Sequence, residues 1–180
     1  AHKPKEILEL GAGSGYLSRV ILEALNDNQQ GTLTSVDNFF DWQGQIPEFL
    51  LATQEQYPQW NLVQNDEHHY LSNHASDSFD FIISDGDHVH GYQHAGDIFR
   101  LAKPGAILIF HDTHNELFRL LKRLPNRVRQ LGFSHFHFTK KSIEGEQTDR
   151  GMLVVCKDRN KHMTMDIATR FFLRYRKLIP

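Results

Sequence analysis

The stretch Ile7-Leu8-Glu9-Leu10-Gly11-Ala12-Gly13-Ser14-Gly15-Tyr16-Leu17 decides how the rest of the chain is read. Three apolar residues surround one acid, glycines follow at alternate positions, and a helical pattern begins. This reads as a buried strand, a tight turn and a helix start. Glycine lets such a turn take positive φ and lets the backbone approach a ligand closely. The helix after it aims its free N–H groups at the same place, which suits a nucleotide-like ligand. The spacing is G-x-G-x-G rather than the dinucleotide G-x-G-x-x-G, with an acid two residues before the first glycine. The plainer alternative is a strand-to-helix turn that holds no ligand.

Outward from this turn, apolar runs and helical stretches alternate. Glu6 to Leu10 reads as strand one and Gly15 to Asn26 as a helix with Leu17, Ile21 and Leu25 on its apolar face. Thr32 to Asp37 is strand two. Pro47 opens a helix to about Tyr57, and Trp60 to Asp66 is strand three. Leu71 to Ser78 reads as a helix remnant and loop, and Phe79 to Asp85 as strand four. Gly91 to Ala102 is a helix closed by Lys103-Pro104-Gly105, before strand five at Ala106 to Phe110. An amphipathic helix from Glu116 to Leu124 is predicted to stop at Pro125. Phe133 to Thr139 and Met152 to Lys157 form a hairpin. The pattern predicts an α/β class, a doubly wound, mostly parallel sheet with an antiparallel terminal hairpin, in one domain over residues 1–180. Within residues 163–180, an amphipathic helix from Asp166 to Ile179 is expected to pack on the domain or on a second subunit, giving a homo-oligomer.

Composition bounds the function. The 180 residues are 39% hydrophobic and 23% charged, with a net charge of -2, ordinary for a globular protein. This balance points away from a general nucleic-acid or membrane-surface binder. No apolar run is long enough to span a membrane. The single cysteine, Cys156, excludes an intramolecular disulfide and a multi-cysteine zinc site, and fits a reducing, cytoplasmic setting. Arg119, Lys122, Arg123, Arg127 and Arg129 read as the solvated face of a helix rather than a nucleic-acid surface.

Ligands of such sheets bind outside the carboxyl ends of the strands. Glu9, Asp37, Asp66, Asp85 with Asp87, and Asp112 stand at that edge, one strand after another. Crowded carboxylates repel unless cations or hydrogen-bond donors lie among them. Asp37 can accept both hydroxyls of an adenosine ribose, or cap the turn over Asn38 to Phe40. Asp66 can accept from an adenine amino group, or cap the short helix after it. Phe39, Phe40 and Trp42 either flank the adenine or belong to the core or a lid.

Glu9-Leu10-Gly11-Ala12-Gly13-Ser14-Gly15 resembles motif I of the class I S-adenosylmethionine-dependent methyltransferases, and Asp37 matches their second-strand acid. Phe79 to Asp85 is similar to their fourth strand, and Leu101-Ala102-Lys103-Pro104-Gly105-Ala106 to the approach to the fifth. The hairpin matches strands six and seven. The resemblance implies the seven-stranded Rossmann-like methyltransferase fold. It also implies an S-adenosylmethionine site made by Glu9, Gly11, Ala12, Gly13, Ser14, Gly15, Asp37, Asn38, Asp66 and Asp85. Ile83-Ser84-Asp85-Gly86-Asp87-His88 and Ile109-Phe110-His111-Asp112-Thr113 resemble, more narrowly, the small-molecule O-methyltransferase and cephalosporin-hydroxylase-like group. By analogy with the catechol and caffeoyl-CoA O-methyltransferases, Asp85, Asp112 and His111 are implied ligands of Mg²⁺ or another divalent metal. The chain departs from the catechol type, which has Asn where Thr113 stands. Class I members carry helices before motif I that close over the substrate. Here strand one begins almost at once, which fits an open site, a fragment, or a lid made by another element.

Methyl transfer from a sulfonium is an in-line displacement, so the enzyme must align the acceptor and take its proton. His88, just past strand four, is the best general-base candidate, with Asp85 beside it. The alternative role for His88 is a structural cap. A divalent ion would lower the acceptor's pKa; carboxylates suit Mg²⁺, whereas histidine ligands favour Mn, Fe or Zn. Twelve histidines are present, eight of them between His68 and His114. His68, His69 and His74 read as solvated, His135 and His137 as an exposed edge, and His90, His94 and His114 as ligands or, more simply, helix-face surface. The reading is a methyltransferase acting on a small-molecule hydroxyl. Competing readings are an NAD(P)-dependent oxidoreductase, a non-haem metal protein using His88, His111 and Asp112, and a non-catalytic module. No Tyr-x-x-x-Lys pair supports the oxidoreductase.

Overall fold

Strands that are apolar on both sides need cover on both faces, and the chain supplies it by returning through a helix after nearly every strand. The computed structural model describes residues 3–139 and 150–158. Strands β1 (Glu6–Leu10), β2 (Thr32–Asp37), β3 (Trp60–Gln64), β4 (Phe79–Ser84) and β5 (Ala102–His111) are parallel. β6 (Ser134–Phe138) and β7 (Met152–Cys156) pair antiparallel, and β7 lies against β5. The order is β3-β2-β1-β4-β5-β7-β6. From β1 the chain winds outward one way to β3, then returns beside β1 and winds the other way. The crevice between the ends of β1 and β4 is therefore the switch point where such sheets bind ligands.

Side-chain alternation divides the core. Ile7, Phe81, Ile83 and Ile109 pack with Leu22 and Leu25 of α1 (Tyr16–Asn28) and Leu50 of α2 (Glu48–Gln56). Leu8, Leu10, Ile82, Leu108 and Phe110 face the other way. They meet Leu71 of α3 (Glu67–Asn73), Ile98 and Leu101 of α4 (Gly91–Leu101), and Leu124 and Val128 of α5 (Leu124–Gln130). Among the described residues no helix is long and apolar enough to cross a membrane.

Three stretches differ from the sequence reading. The remnant expected at Leu71 to Ser78 is the tail of α3, which starts at Glu67 because Asp66 caps it: the Asp66 side chain accepts from His69 N at 3.0 Å. The helix expected over Glu116 to Leu124 is absent. A single 3-10 turn at Leu121–Arg123 leads into α5, and Pro125 lies in its first turn. Proline lacks only an N–H that the first turn leaves unpaired, so it starts this helix instead of ending one. Lys103-Pro104-Gly105 lies inside β5, at the register shift between the pairs Phe79 with Ala102 and Phe81 with Ile107. The Asp166 to Ile179 helix and the subunit contact expected of it lie outside the described residues.

One polar group is built into the first core. Glu9 shares the sheet face of Ile7, points toward α1 and is fully buried. Ser18 Oγ of α1 and Ser35 Oγ of β2 donate to its Oε2 at 2.6 and 2.5 Å, and Trp60 Nε1 donates to Ser35 Oγ at 2.9 Å. The chain thus ties β1, α1, β2 and β3 together. Burial pushes the Glu9 carboxyl up to about 7, against the two hydroxyl bonds. Between the ordinary value of 4.5 and about 7 the folded protein keeps a proton that the unfolded chain has lost. Stability contributed by this group therefore falls as pH rises through that window and is level above it. Glu9→Gln is expected to flatten this slope, so that urea denaturation at about pH 5 and about pH 8 differs between variant and wild type by roughly 2 kcal/mol.

Candidate active site

The three glycines of the first turn all have positive φ, +86° at Gly11, +52° at Gly13 and +74° at Gly15, but they serve different ends. A Cβ on Gly11 would lie 2.6 Å from Gly86 Cα and 2.7 Å from the Asp85 carbonyl carbon. Gly11 is thus the point where the β1 turn touches the β4 loop backbone to backbone. Asp85 N donates to Leu10 O at 2.9 Å and Gly11 N to Val36 O at 2.8 Å. Gly13 has open space on its Cβ side, and its N–H donates to Asp37 Oδ2 at 2.8 Å. Gly15 precedes α1, and a Cβ there would strike Leu50 at 2.4 Å.

A cavity of about 770 Å³ opens over this turn. Its walls include Gly11, Ala12, Gly13 and Ser14 from the turn, Asp37 and Asn38 after β2, Asp66 after β3, and Asp85 after β4. Tyr16, Phe40 and Trp42 add aromatic surface. This volume suits a nucleoside-sized ligand. Asp37 is anchored rather than loose: besides Gly13 N, Phe39 N donates to its Oδ1 at 2.6 Å. Asn38 lies at the wall, and its Oδ1 accepts from Phe40 N at 2.9 Å. Asp66 both caps α3 and reaches the wall.

Two expected contacts are corrected. Glu9 does not line the cavity, because its carboxyl is locked beneath the turn by Ser18 and Ser35. Gly15 does not line it either; it is buried against Leu50 and shapes the helix start. Of the aromatic group, Phe39 is core at 0% exposure, whereas Phe40 stands 82% exposed at the rim.

Beyond Asp85 the crevice meets a cluster from the ends of β4 and β5. His111 Nδ1 lies 2.6 Å from Asp85 Oδ1 and 3.5 Å from Asp112 Oδ1. His88 Nε2 lies 3.3 Å from Asp85 Oδ1 and 3.6 Å from Asp112 Oδ2. Each imidazole thus sits between both carboxylates, and the His88 ring stacks on Phe118 at 4.9 Å. Burial disfavours charge on Asp85, but His111 and His88 outweigh it and hold the carboxyl well below the usual range. Burial likewise opposes the proton on His111, and Asp85 overcomes it and raises the imidazole. Asp112 is buried with a φ of +56°, and its Oδ1 has no hydrogen-bond partner among the described residues. Donor atoms of Asp85, His88 and His111 lie within 4.8 Å of one another, as a metal ion requires. The expected set had Asp112 in the place of His88; Asp112 instead borders the group.

The other histidines divide differently from their polar context. His94 is buried, with Nδ1 3.6 Å from Glu67 Oε2. His74 stacks between Tyr70 and Phe79. His137 is half-buried, and its Nε2 lies 3.1 Å from Thr113 Oγ1. His68 and His69 are exposed as expected. The sequence reading assigns no site role to Glu67, or to Gly86 within the Asp85 motif, although both line the cavity. The acid directly after Asp66 was the available signal.

Residues 8–113 match the family model described as "Methyltransferase domain". Among solved structures, the O-methyltransferase from Bacillus cereus in complex with SAH is similar at 14% identity, with a TM-score of 0.67 over 85% of this chain and 74% of that one. The Streptomyces achromogenes O-methyltransferase TomG, involved in tomaymycin synthesis and bound to SAM, has 15% identity, a TM-score of 0.65 and coverage of 86% and 74%. The Burkholderia thailandensis 1,6-didemethyltoxoflavin-N1-methyltransferase, with S-adenosylhomocysteine, has 15% identity, a TM-score of 0.62 and coverage of 87% and 72%. These likenesses establish the fold. No match was found among curated proteins.

The contrast between Gly11 and Gly13 is testable without any ligand. Gly13→Ala bears a backbone penalty of about 1 kcal/mol. Gly11→Ala adds overlap with the β4 loop and is expected to cost upward of ~3 kcal/mol, read from urea denaturation.

Proposed function

Because the chain belongs to the methyltransferase-domain family, we propose that it transfers a methyl group from S-adenosylmethionine to a hydroxyl of a small molecule. One observation carries this reading: the cavity at the β1–β4 switch point, walled by the glycine turn and by Asp37 and Asp85. Gly11 to Ser14 give the cofactor a wall of backbone and small side chains. Asp37 keeps lone pairs for ribose hydroxyls after accepting from Gly13 and Phe39. Asn38 and Asp66 stand where the base would lie, and Asp85 where a cationic end would lie. Bound there, S-adenosylmethionine supplies an electrophilic methyl group.

The direction toward oxygen rests on the cluster at β4 and β5, since a hydroxyl must lose its proton to attack. His88 takes that proton in our reading, and Asp85 and Asp112 orient its ring and offset the charge it gains. The alternative use of the same cluster is a divalent ion, since donor atoms of Asp85, His88 and His111 converge. Asp85, His88 and His111 would hold the ion, with Asp112 beside them, and the ion would position and acidify the acceptor hydroxyl in place of a His88 base. An imidazole among the ligands suits Mn, Fe or Zn better than Mg²⁺. We also place the protein in the cytoplasm and assign it neither membrane nor nucleic-acid partners, on its single cysteine and near-neutral charge.

Calorimetry with S-adenosylhomocysteine and, separately, NADH tests the cofactor. Binding of the first and none of the second is expected; tight NADH binding without S-adenosylhomocysteine binding contradicts the proposal. An acceptor can then be found by screening metabolites for methyl transfer from labelled S-adenosylmethionine. With it, His88→Ala is expected to lower turnover roughly a hundredfold while S-adenosylhomocysteine affinity stays within about threefold. Unchanged turnover would remove His88 as the base.

A further inference from the structure

We propose that Glu67 is a positioning residue that braces the Asp85–His88 loop, and that position 86 is glycine because the Glu67 carboxylate occupies the place of its side chain. This rests on the methyltransferase reading for the identity of the site. Glu67 is the first residue of α3, 9% exposed and at the cavity wall. Its Oε1 accepts from Asp87 N at 2.9 Å. A Cβ built on Gly86 would lie 1.6 Å from that oxygen and 2.8 Å from Glu67 Cδ. Gly86 does not have positive φ, so what a side chain there would disturb is its surroundings: it would push the Glu67 carboxylate off Asp87 N and meet Gly11 N at 3.0 Å.

The brace has its own support. Glu67 Oε2 lies at ion-pair distance, 3.6 Å, from His94 Nδ1 on α4. The His94 ring stacks between those of His68 and His90, at 5.8 and 6.2 Å. His90 Nδ1 is 2.7 Å from Asp87 Oδ2, and Asp87 Oδ1 accepts from Val89 N and His90 N at 3.0 and 3.1 Å. The loop is thereby held on three sides: Leu10 O on Asp85 N, Glu67 on Asp87 N, and the Asp87 side chain on the turn into α4. The loop carries Asp85 toward the cavity and His88 toward Asp112. A carboxylate taken this far out of water is costly unless its acceptors are used. Its use here is to fix one loop that serves both the cofactor side and the proton side of the site.

The test compares wild type, Glu67→Gln, Glu67→Ala, Gly86→Ala and the double variant Glu67→Ala/Gly86→Ala. S-adenosylhomocysteine affinity is read by calorimetry, well below the unfolding midpoint of each. Glutamine keeps an oxygen for Asp87 N, so Glu67→Gln is expected to bind within about threefold of wild type. Glu67→Ala should weaken binding about tenfold or more, because the loop loses the hydrogen bond that holds Asp87 N. Gly86→Ala should weaken it at least as much, and the double variant should be no weaker than Gly86→Ala alone, because the new methyl enters the vacated space. A glutamate that served only stability would shift the unfolding midpoint and leave affinity equal in the alanine and glutamine variants. That result, or additive effects in the double variant, overturns the proposal. A wild type that binds no S-adenosylhomocysteine overturns the cofactor reading itself, and this role with it.

Discussion

Backbone contact between Gly11 and the Asp85–Gly86 peptide is the constraint on which the site depends. β1 and β4 are neighbours in the sheet, but their chains leave in opposite directions, one into α1 and one toward α4. For both turns to stay at the switch point their backbones must touch, and any side chain at 11 would part them. Once they touch, the glycine turn and the Asp85–His88 loop are parts of one junction. Glu67 fills the remaining gap from the third side. The cavity is therefore a by-product of how tightly two strand ends meet, more than of any single ligand-facing side chain.

Electrostatics follows from the same topology. Five parallel strands deliver carboxylates to one edge, and each is handled differently. Glu9 is withdrawn into the core and its carboxyl is pushed up to about 7. Asp37 is held by backbone N–H groups. Asp66 caps a helix. Asp85 and Asp112 are interleaved with two imidazoles. Of these carboxylates, this last pair lies beside imidazoles, which is where proton transfer or metal binding would be useful.

Much of the frame was legible in the chain because glycines and acids punctuate it. β1 and β2 begin and end where the sequence reading put them, and the terminal hairpin lies at the sheet edge. The readings failed where a local signal has two meanings. Pro125 stops a helix or starts one, and only packing of Leu124 and Val128 on the second core decides. Glu67-His68-His69 looks like solvated polar chain, yet Asp66 caps it and Leu71 anchors it. The site residues split the same way. Asp37 and Asp85 could be placed from strand ends alone. Burial of Glu9 by two serines, pairing of His94 with Glu67, and the space above Gly86 depend on residues distant in sequence, which no periodicity records.

The central claim is that the glycine turn, Asp37 and Asp85 form one cofactor site at the β1–β4 junction. A crystal structure of the protein with S-adenosylhomocysteine tests it most directly. The expected result is the ribose on the Asp37 carboxylate, the ligand backbone along Gly11 to Ser14, and its sulfur end toward Asp85. Ligand bound elsewhere on the protein, or a cavity left empty at saturating ligand, would contradict the claim.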